Sequence, residues 1–486
     1  MNGQFEAAVA LFRRAVEATP SDPDGYVALA GCLLLARRPQ VALRVCDVGE
    51  RQAGRSAALL CARARVLQSL SRVAEAAAAY DAVLAADPAS GEARHGLALQ
   101  AAEAGNWDEA EKLVAALPAT PALDWLAARI ALGRGDFQRA RERAAGAEHG
   151  AARADQRAEA ALLQGEALDG LGRHAEAFQS FARGNAALRA FYAERAAAGE
   201  GETAKLKRLA DWFGAADPAP WRAAPAARND VGVSGHAFLL GFPRSGTTLL
   251  EQALAGHPAL VALEEAPTLA DAYDAFLRDA AGLGRLAALS PKDAETWRAA
   301  YWRMVAAHGV DPRGRVFLDK APAGTLYLPL IAKLFPRAKL IFAVRDPRDV
   351  VLSCFRSSFQ MNALTYAFTD LTETARCYAA CMELADVYRR VLPIALHEVR
   401  YERLVDDFEA ELGRAAAHLG LGMDPAMVDV AATARRRIVR TPSAPQVRAG
   451  LNRRGIGRWR PYADQLAPAA ALLDPWIQRL GYGASG

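Results

Sequence analysis

The first half of the chain repeats itself with a period close to 34 residues. Six short related segments begin at Gly3, Arg37, Ser71, Gly105, Gly135 and Gly172, at spacings of 34, 34, 34, 30 and 37 residues. Each carries an alanine five positions on: Ala8, Ala42, Ala76, Ala110, Ala140 and Ala177. Pro20 and Pro88 follow such an alanine by twelve residues. Because a small residue lets helices approach closely and a proline ends a helix, this period predicts stacked helix pairs.

The pattern resembles tetratricopeptide repeats, although the aromatic and glycine positions of that consensus are poorly kept. The resemblance implies an all-α superhelix whose concave surface takes a protein partner or supports a homodimer. A generic alanine-rich helical bundle is the alternative. We assign residues 1–213 to this repeat domain, and residues 214–235, which contain a proline-rich stretch from Asp217, to a linker.

The second half, residues 236–486, has a different pattern. Four apolar runs of strand character alternate with helical segments, at 237–242, 315–319, 339–346 and 394–401. Such alternation predicts an α/β domain of P-loop type with a parallel central sheet. Ligands of these sheets bind at the carboxyl ends of the strands, so the residues that follow each run are the candidates for a site.

The first run ends in a turn with the glycine spacing of a phosphate-binding loop, from Gly241 to Gly246. The backbone N–H groups of such a loop and the helix start after it favour an anion. A nucleoside triphosphatase places a lysine where this chain has Thr247, so the loop suits a less charged group. The candidate donors are Arg244, Ser245, Gly246, Thr247 and Thr248.

Two further segments carry cations. Arg345 ends the third apolar run, Asp346 can cap the following helix, and Ser353 lies about two turns into it. An arginine beside a helical hydroxyl suits a terminal phosphate. The second cationic segment contains Arg453, Arg454 and Gly455 near the C-terminus.

Together, the three segments resemble sulfotransferases that use 3′-phosphoadenosine 5′-phosphosulfate (PAPS). The resemblance implies that the loop holds the 5′-phosphosulfate and that the other two segments hold the 3′-phosphate. Within that superfamily the tyrosylprotein sulfotransferases match further features, which are His257-Pro258, Glu264-Glu265, Lys320, and Ser443 three residues before Gln446-Val447.

By that match, Glu265 is the base that takes the acceptor proton, with Lys320, Arg244 and Ser443 meeting the charge that develops on the leaving nucleotide. Each residue also has a plainer interpretation. The glutamate pair can be a solvated helix start, Arg345 can pair with Asp346 or Asp349, Lys320 can pair with Asp319, and the last segment can be a solvated basic loop.

The resemblance does not identify the acceptor. The tyrosylprotein enzymes follow their glutamates with Thr-Arg, whereas Ala266-Pro267 stands here. Protein tyrosine, a glycan, a lipid and a small phenol all remain possible acceptors. Two other functions stay open: a P-loop nucleotide kinase or hydrolase, and a repeat scaffold whose second half is an inactive nucleotide-binding module.

Composition and the lack of targeting signals bear on the location of the protein and on the ligands it can bind. The six cysteines have no metal-type or redox spacing, no apolar run reaches membrane-spanning length, and the first twenty residues are not a signal peptide. The net charge of +4 does not by itself indicate nucleic-acid binding. We therefore expect a cytoplasmic protein with no metal site, and the wealth of alanine and arginine is typical of a GC-rich bacterial gene.

Overall fold

The computed structural model describes residues 2–36, 38–70, 72–222, 231–437, 443, 447–448 and 450–483. The chain divides into two compact units, Met1–Ser180 and Phe181–Gly486. The first is all-α and the second is an α/β unit, as the sequence predicts. No described helix combines the length and the apolar character needed to cross a bilayer.

The first unit is a succession of helices joined by short turns. The helices are α1 Asn2–Ala18, α2 Pro23–Leu35, α3 Pro39–Gln52, α4 Ala57–Ser69, α5 Val73–Ala86, α6 Gly91–Ala104, α7 Trp107–Ala115, α8 Pro121–Arg134, α9 Phe137–Gly150, α10 Ala154–Gly170 and α11 His174–Phe191, which spans the division between the units. From the second repeat segment onward, a helix begins two residues after each segment start. The predicted period is therefore the period of the helix pairs.

The repeated alanines occupy the helix crossings. Those of the last five segments have no exposed surface: Ala42, Ala76, Ala110, Ala140 and Ala177. In the first layer, Ala42 packs with Tyr26, Leu29 and Cys46 in one apolar cluster. A larger side chain at such a position would separate the paired helices, which explains why the alanine is the most regular feature of the repeat.

The second unit is built on five parallel strands, which are β1 Gly235–Gly241, β2 Leu260–Glu264, β3 Val316–Lys320, β4 Lys339–Val344 and β5 Leu396–Arg400. Their spatial order is β2-β3-β1-β4-β5. Strand β1 is central, and it pairs with β3 on one side and β4 on the other. The edge strand β2 pairs with β3 in a register that sets Glu264 beside Lys320.

Helices surround the sheet. They are α12 Ala193–Ala197, α13 Glu202–Ala215, α14 Ala219–Arg222, α15 Thr247–Leu254, α16 Ala270–Phe276, α17 Ala280–Ala287, α18 Pro291–Ala307, α19 Leu328–Leu334, α20 Pro347–Arg356, α21 Ala363–Ala367, α22 Leu371–Val391, α23 Tyr401–Asp406, α24 Phe408–Leu419, α25 Val430–Arg436 and α26 Ala463–Arg479. Short 3₁₀ helices cover Gly324–Tyr327, Pro425–Met427, Arg453–Gly455 and Arg460–Tyr462.

Leu239 on β1 packs against Leu250 of α15 and Leu412 of α24, while Phe238 packs against Tyr301 and Phe335. Both faces of the sheet are thus buried, which accounts for its apolar strands.

The compact division at Ser180 differs from the boundary at 213 that the sequence suggests. Asn185 donates a buried hydrogen bond to the Phe355 carbonyl at 2.6 Å, and Phe213 stacks edge-on against Tyr388 of α22. These helices continue the helical pattern of the repeats, but their apolar residues belong to the core of the second unit. Trp221, in the segment assigned as a linker, is 1% exposed, and residues 223–230 of that segment lie outside the described residues.

Strand β2 is absent from the sequence interpretation. Its five residues closely follow His257-Pro258, and its apolar run is short, from Leu260 to Leu263. A run this short gives no clear periodicity, and only pairing with β3 defines it as a strand.

Two helix glycines of the first unit provide a matched test of the packing. A Cβ on Gly96 of α6 would lie 2.2 Å from the Tyr80 ring, whereas one on Gly31 of α2 would meet nothing within 4 Å. We expect Gly96→Ala to lower the free energy of unfolding by about 1–3 kcal/mol because the ring must move. Gly31→Ala should be neutral or stabilise by about 0.5–1 kcal/mol through helix propensity. Urea unfolding followed by circular dichroism measures both, and equal effects would contradict the packing of these helices.

Candidate active site

All five strands of the second unit deliver a candidate residue to the same edge of the sheet. The phosphate-type loop follows β1, Glu265 follows β2, Lys320 ends β3, Arg345 follows β4 and Tyr401 follows β5. Because the strands are parallel, these five positions lie at their carboxyl ends, where ligands of such sheets bind. Residues separated by more than 150 positions in sequence are thereby gathered at one edge of the sheet.

The loop after β1 depends on glycine at both ends. Gly241 has a φ of 145°, and a Cβ there would lie 2.6 Å from the Ala343 carbonyl oxygen. Gly246 has a φ of 92°, and a Cβ there would lie 2.5 Å from the ring of Tyr401. Arg244, between them, also has a left-handed φ of 72°. The loop therefore has a fixed, narrow shape that turns directly into α15.

The polar residues of this loop are enclosed. Ser245, Thr247 and Thr248 are each 3% exposed, and α15 starts at Thr247. The unpaired N–H groups at a helix start carry a partial positive charge. The loop is thus a cradle for an anionic group.

Arg244 links the loop to two other candidate residues. Its Nε donates a hydrogen bond to Ser353 Oγ on α20 at 2.9 Å, and an Nη donates to Ser443 Oγ. Three residues that the sequence analysis selected from separate segments are therefore in contact. Gln446, part of the same sequence match as Ser443, lies outside the described residues.

Arg345 joins the loop to the C-terminal segment. It donates to the Arg244 carbonyl at 2.9 Å and to the Gly455 carbonyl, and its guanidinium lies 4.8 Å from the centre of the Tyr401 ring. The ion pair with Asp349 is long, at 3.9 Å. The Nε of Arg345 is buried with no hydrogen-bond partner among the described residues, so a buried cationic donor remains beside the loop.

The C-terminal segment is held by its backbone. The carboxylate of Asp349 accepts hydrogen bonds from the N–H groups of Gly457 at 2.8 Å and Trp459 at 2.9 Å. The side chains of Arg453 and Arg454 are exposed, and Arg453 pairs with Asp406 at 3.1 Å. Of the three candidates in this segment, Gly455 contacts Arg345, while the two arginines extend from the surface next to it.

Lys320 is the centre of a second cluster. Its ammonium has no exposed surface and lies 2.7 Å from Glu265 Oε1, 3.0 Å from Glu264 Oε1 and 3.7 Å from Glu251 Oε2. Burial by itself lowers the pKa of this lysine, but the three carboxylates together raise the pKa well above its ordinary value. Lys320 is therefore a fixed cation at neutral pH.

The two adjacent glutamates differ in access. The side chain of Glu265 is 44% exposed, whereas that of Glu264 is 15% exposed. Glu265 has a left-handed φ of 49°, and its N–H donates to the Lys320 carbonyl at 2.8 Å. This unusual backbone conformation turns the chain at the end of β2 and leaves Glu265 as the more accessible carboxylate.

A buried hydrogen-bond chain supports that turn. Thr268 Oγ1 donates to Asp319 Oδ2 at 2.8 Å, and the Tyr301 hydroxyl donates to the same oxygen at 2.9 Å. The Tyr301 hydroxyl also lies 2.9 Å from His236 Nε2. Burial raises the pKa of Asp319 to about 6, although its two hydroxyl partners oppose the shift. Burial also lowers the pKa of His236 to about 3, so this histidine is neutral.

Sequence reasoning missed three residues of the site, namely Glu251, Tyr401 and Arg437. Glu251 looked like an ordinary polar residue of an amphipathic helix, and Tyr401 like the last residue of a strand. Asp349 was considered only as an ion-pair partner of Arg345, and its contacts with Gly457 and Trp459 were not foreseen. Among the described residues, no group of three or more His, Cys, Asp or Glu side chains is arranged so that it could hold a metal ion.

The raised pKa of Asp319 predicts how stability changes with pH. A carboxyl that holds its proton more tightly when folded stabilises the protein below the unfolded pKa of 3.8, and that contribution is lost as pH rises through about 6. We expect the unfolding free energy of wild type relative to Asp319→Asn to fall by about 2–3 kcal/mol between pH 4 and 7. Urea titrations across this range measure the difference. Asp311→Asn is the control, because the pKa of exposed Asp311 is lowered to about 2 by Arg313 and its contribution is constant over this range.

Comparison with known proteins shows what the second unit is similar to. A solved sulfotransferase domain from the Synechococcus PCC 7002 olefin synthase is 26% identical, with 49% of this chain and 97% of that domain covered and a TM-score of 0.32. The nodulation protein NoeE of Sinorhizobium fredii is 30% identical over 256 residues, which cover 46% of this chain and 59% of that protein. Protein-tyrosine sulfotransferase 1 of Danio rerio is 30% identical over 185 residues, covering 35% of this chain and 48% of that protein. The chain thus spans about half the length of these curated relatives.

Family models match both units. The tetratricopeptide repeat model matches residues 2–57 and 61–124, and the sulfotransferase family model matches residues 237–425. The latter range holds the loop, the glutamate pair, Lys320, Arg345 and Tyr401. The chain thus combines a first unit that matches tetratricopeptide repeats with a second unit that matches the sulfotransferase family.

Proposed function

We propose that the protein transfers a sulfuryl group from PAPS to a hydroxyl acceptor. The match to the sulfotransferase family supports sulfuryl transfer, while the donor, the acceptor and the residue roles are our inference. One observation carries the proposal. Two features lie at the same edge of one parallel sheet. One is an anion cradle closed by Arg345, and the other is a lysine–glutamate pair that can act on a reacting hydroxyl.

The donor fits the cradle in two places. The loop, with Arg244, Ser245, Gly246, Thr247 and Thr248, would bind the 5′-phosphosulfate through backbone and side-chain donors. Arg345, Ser353 and the segment Arg453–Gly455 would bind the 3′-phosphate. The Nε of Arg345, which has no hydrogen-bond partner in the part of the chain that the structure describes, supports this assignment. A Cβ on Gly246 would strike Tyr401, so the loop needs glycine here to pack against that ring and keep its shape.

The chemistry follows from the second cluster. The acceptor oxygen forms a bond to sulfur while the bond from sulfur to the nucleotide phosphate oxygen breaks. Glu265, the more exposed carboxylate, takes the acceptor proton. Lys320, Arg244 and Ser443 donate to the oxygens on which charge develops. Glu265 must exchange its bond with Lys320 for one with the acceptor hydroxyl, which frees a lysine N–H for the leaving group.

The acceptor is proposed as a hydroxyl of a macromolecule, either protein tyrosine or a glycan, with the repeats recruiting the acceptor or a partner. Relatives are named for different acceptors, including protein tyrosine and, in Mycobacterium tuberculosis, an ω-hydroxy-β-dihydromenaquinone-9. The repeats support recruitment because such stacks present a continuous surface for peptides or helices. A cytoplasmic location is part of the same proposal.

The other two candidate functions have less support. A nucleotide kinase or hydrolase needs a lysine at the position where this chain has Thr247. An inactive scaffold would have no need to keep a fully buried lysine beside three carboxylates, an arrangement that is costly to bury.

Arg345 provides a test of donor binding. We expect Arg345→Ala to weaken binding of the product nucleotide, 3′-phosphoadenosine 5′-phosphate (PAP), by about ten- to a hundredfold because one charge-assisted contact is lost. Arg389→Ala removes a cation from the same unit, where it pairs with Asp386 and Glu398, and should leave PAP affinity within about threefold. Isothermal titration calorimetry without added metal measures both. Unchanged affinity in a folded Arg345→Ala protein would exclude Arg345 from the site.

The adjacent glutamates provide a test of the base. We expect Glu265→Gln to lower kcat by roughly a hundredfold or more with little change in PAP affinity, because the proton acceptor is lost. Glu264→Gln, the matched change one residue earlier, should lower kcat far less. The measurement is transfer of radiolabelled sulfonate to the best acceptor in a panel of tyrosine peptides, oligosaccharides and phenols. The reverse order of effects would assign the base to Glu264.

A further inference from the structure

We propose that Glu251, on the helix that follows the phosphate-type loop, is a positioning residue that holds the ammonium of Lys320 in place throughout the reaction. The inference deepens the proposed function and rests on it. Glu251 does not reach the acceptor itself, since its side chain has no exposed surface. It would act through Lys320.

Two cations balance the buried negative charge of Glu251. Its Oε2 lies 3.7 Å from Lys320 Nζ, and its Oε1 lies 3.0 Å from an Nη of Arg437. Neither carboxylate oxygen has a hydrogen-bond partner among the described residues. A carboxylate buried in this way is stable only with its cations in place, so it fixes where those cations lie.

Arg437 extends the contact to the neighbouring strand. It also donates to the Ala262 carbonyl of β2 at 3.0 Å, two residues before Glu264. Glu251 thus joins three structures: the helix after the loop, the end of β3 through Lys320, and β2 through Arg437. The helix that follows the anion cradle is therefore in direct contact with the lysine–glutamate pair.

The charge balance explains why a third carboxylate is needed. Lys320 contacts Glu265 and Glu264 as well, but Glu265 gives up its negative charge when it takes the acceptor proton. At that moment Lys320 must stay charged and stationary to meet the leaving oxygen. Burial raises the pKa of Glu251, and the neighbouring cations Lys320 and Arg437 oppose that shift. With both cations in contact, the enclosed Glu251 is the lasting counter-charge while Glu265 is the temporary one.

The test compares Glu251→Gln with a matched control in the full-length chain. Glu411→Gln makes the same change in another buried glutamate of the second unit, which pairs with Arg414 at 2.7 Å. We expect Glu251→Gln to lower kcat at least about tenfold while PAP affinity stays within about threefold, and Glu411→Gln to change neither. Glu251→Asp, which keeps the charge, should recover part of the lost kcat. A kcat for Glu251→Gln equal to that of Glu411→Gln would overturn the inference.

A double-mutant cycle separates positioning from general structural support. If Glu251 acts through Lys320, Glu251→Gln in a Lys320→Met background should change kcat by less than about twofold. A further tenfold loss in that background would mean that Glu251 acts elsewhere. If Glu251→Gln alone does not fold, Glu251→Asp replaces it in the cycle, because a carboxylate one methylene shorter alters the contact with Lys320 while keeping the buried charge.

A readout that needs no acceptor completes the test. The chain has seven lysines, so Lys320 can be assigned in nuclear magnetic resonance spectra of isotope-labelled lysine side chains by comparison with Lys320→Met. Loss of the Glu251 charge should shift the resonance of the Lys320 ammonium group, whereas Glu411→Gln should leave it in place. An unchanged Lys320 resonance in Glu251→Gln would overturn the inference. Absence of PAP binding and transfer by the wild type would instead refute the proposed function, while these spectra would still test the pairing.

Discussion

The site depends on one buried cation. Lys320 has no exposed surface and ends the strand next to the centre of the sheet, so its ammonium must be neutralised by whatever lies beside it. Glutamates from β2, from the turn after β2 and from α15 supply that neutralisation. A buried ion pair contributes little net stability, because desolvation offsets the attraction, but losing one partner is strongly unfavourable. The cluster is therefore better explained by the reaction than by folding.

The parallel sheet brings the lysine–glutamate cluster and the anion cradle to the same edge. Strands β1 and β4 carry the loop and Arg345, while β3 and β2 carry Lys320 and the glutamates, and β1 lies between the two groups. Arg244 is the physical link, since it bonds Ser353 and Ser443 through its side chain and Arg345 through its carbonyl. Donor binding and proton transfer would thus be served by neighbouring strand ends rather than by flexible loops, which limits the motion needed before reaction.

Much of this arrangement could be predicted from the sequence, and the rest could not for identifiable reasons. The period of the alanines, the glycine spacing of the loop and the cap at Asp346 are local signals, and the structure has each where the sequence indicates it. Strand β2 was missed because its five residues acquire strand character only by pairing with β3. Glu251 and Arg437 were missed because their partners are distant in sequence. The helices after Ser180 look like repeats, and only their packing against α22 assigns them to the second unit.

The backbone at Glu265 shows how the chain combines a rigid cluster with an accessible base. A left-handed φ at a residue with a side chain costs about 1 kcal/mol or more, so surrounding contacts must impose it. Here the Lys320 carbonyl accepts from the Glu265 N–H, and Thr268 anchors the following turn to Asp319. Without that turn β2 would continue straight, and the alternation of a strand would direct residue 265 to the face opposite Glu264. The strain instead lets two consecutive carboxylates reach one ammonium, with the second of them partly open to solvent.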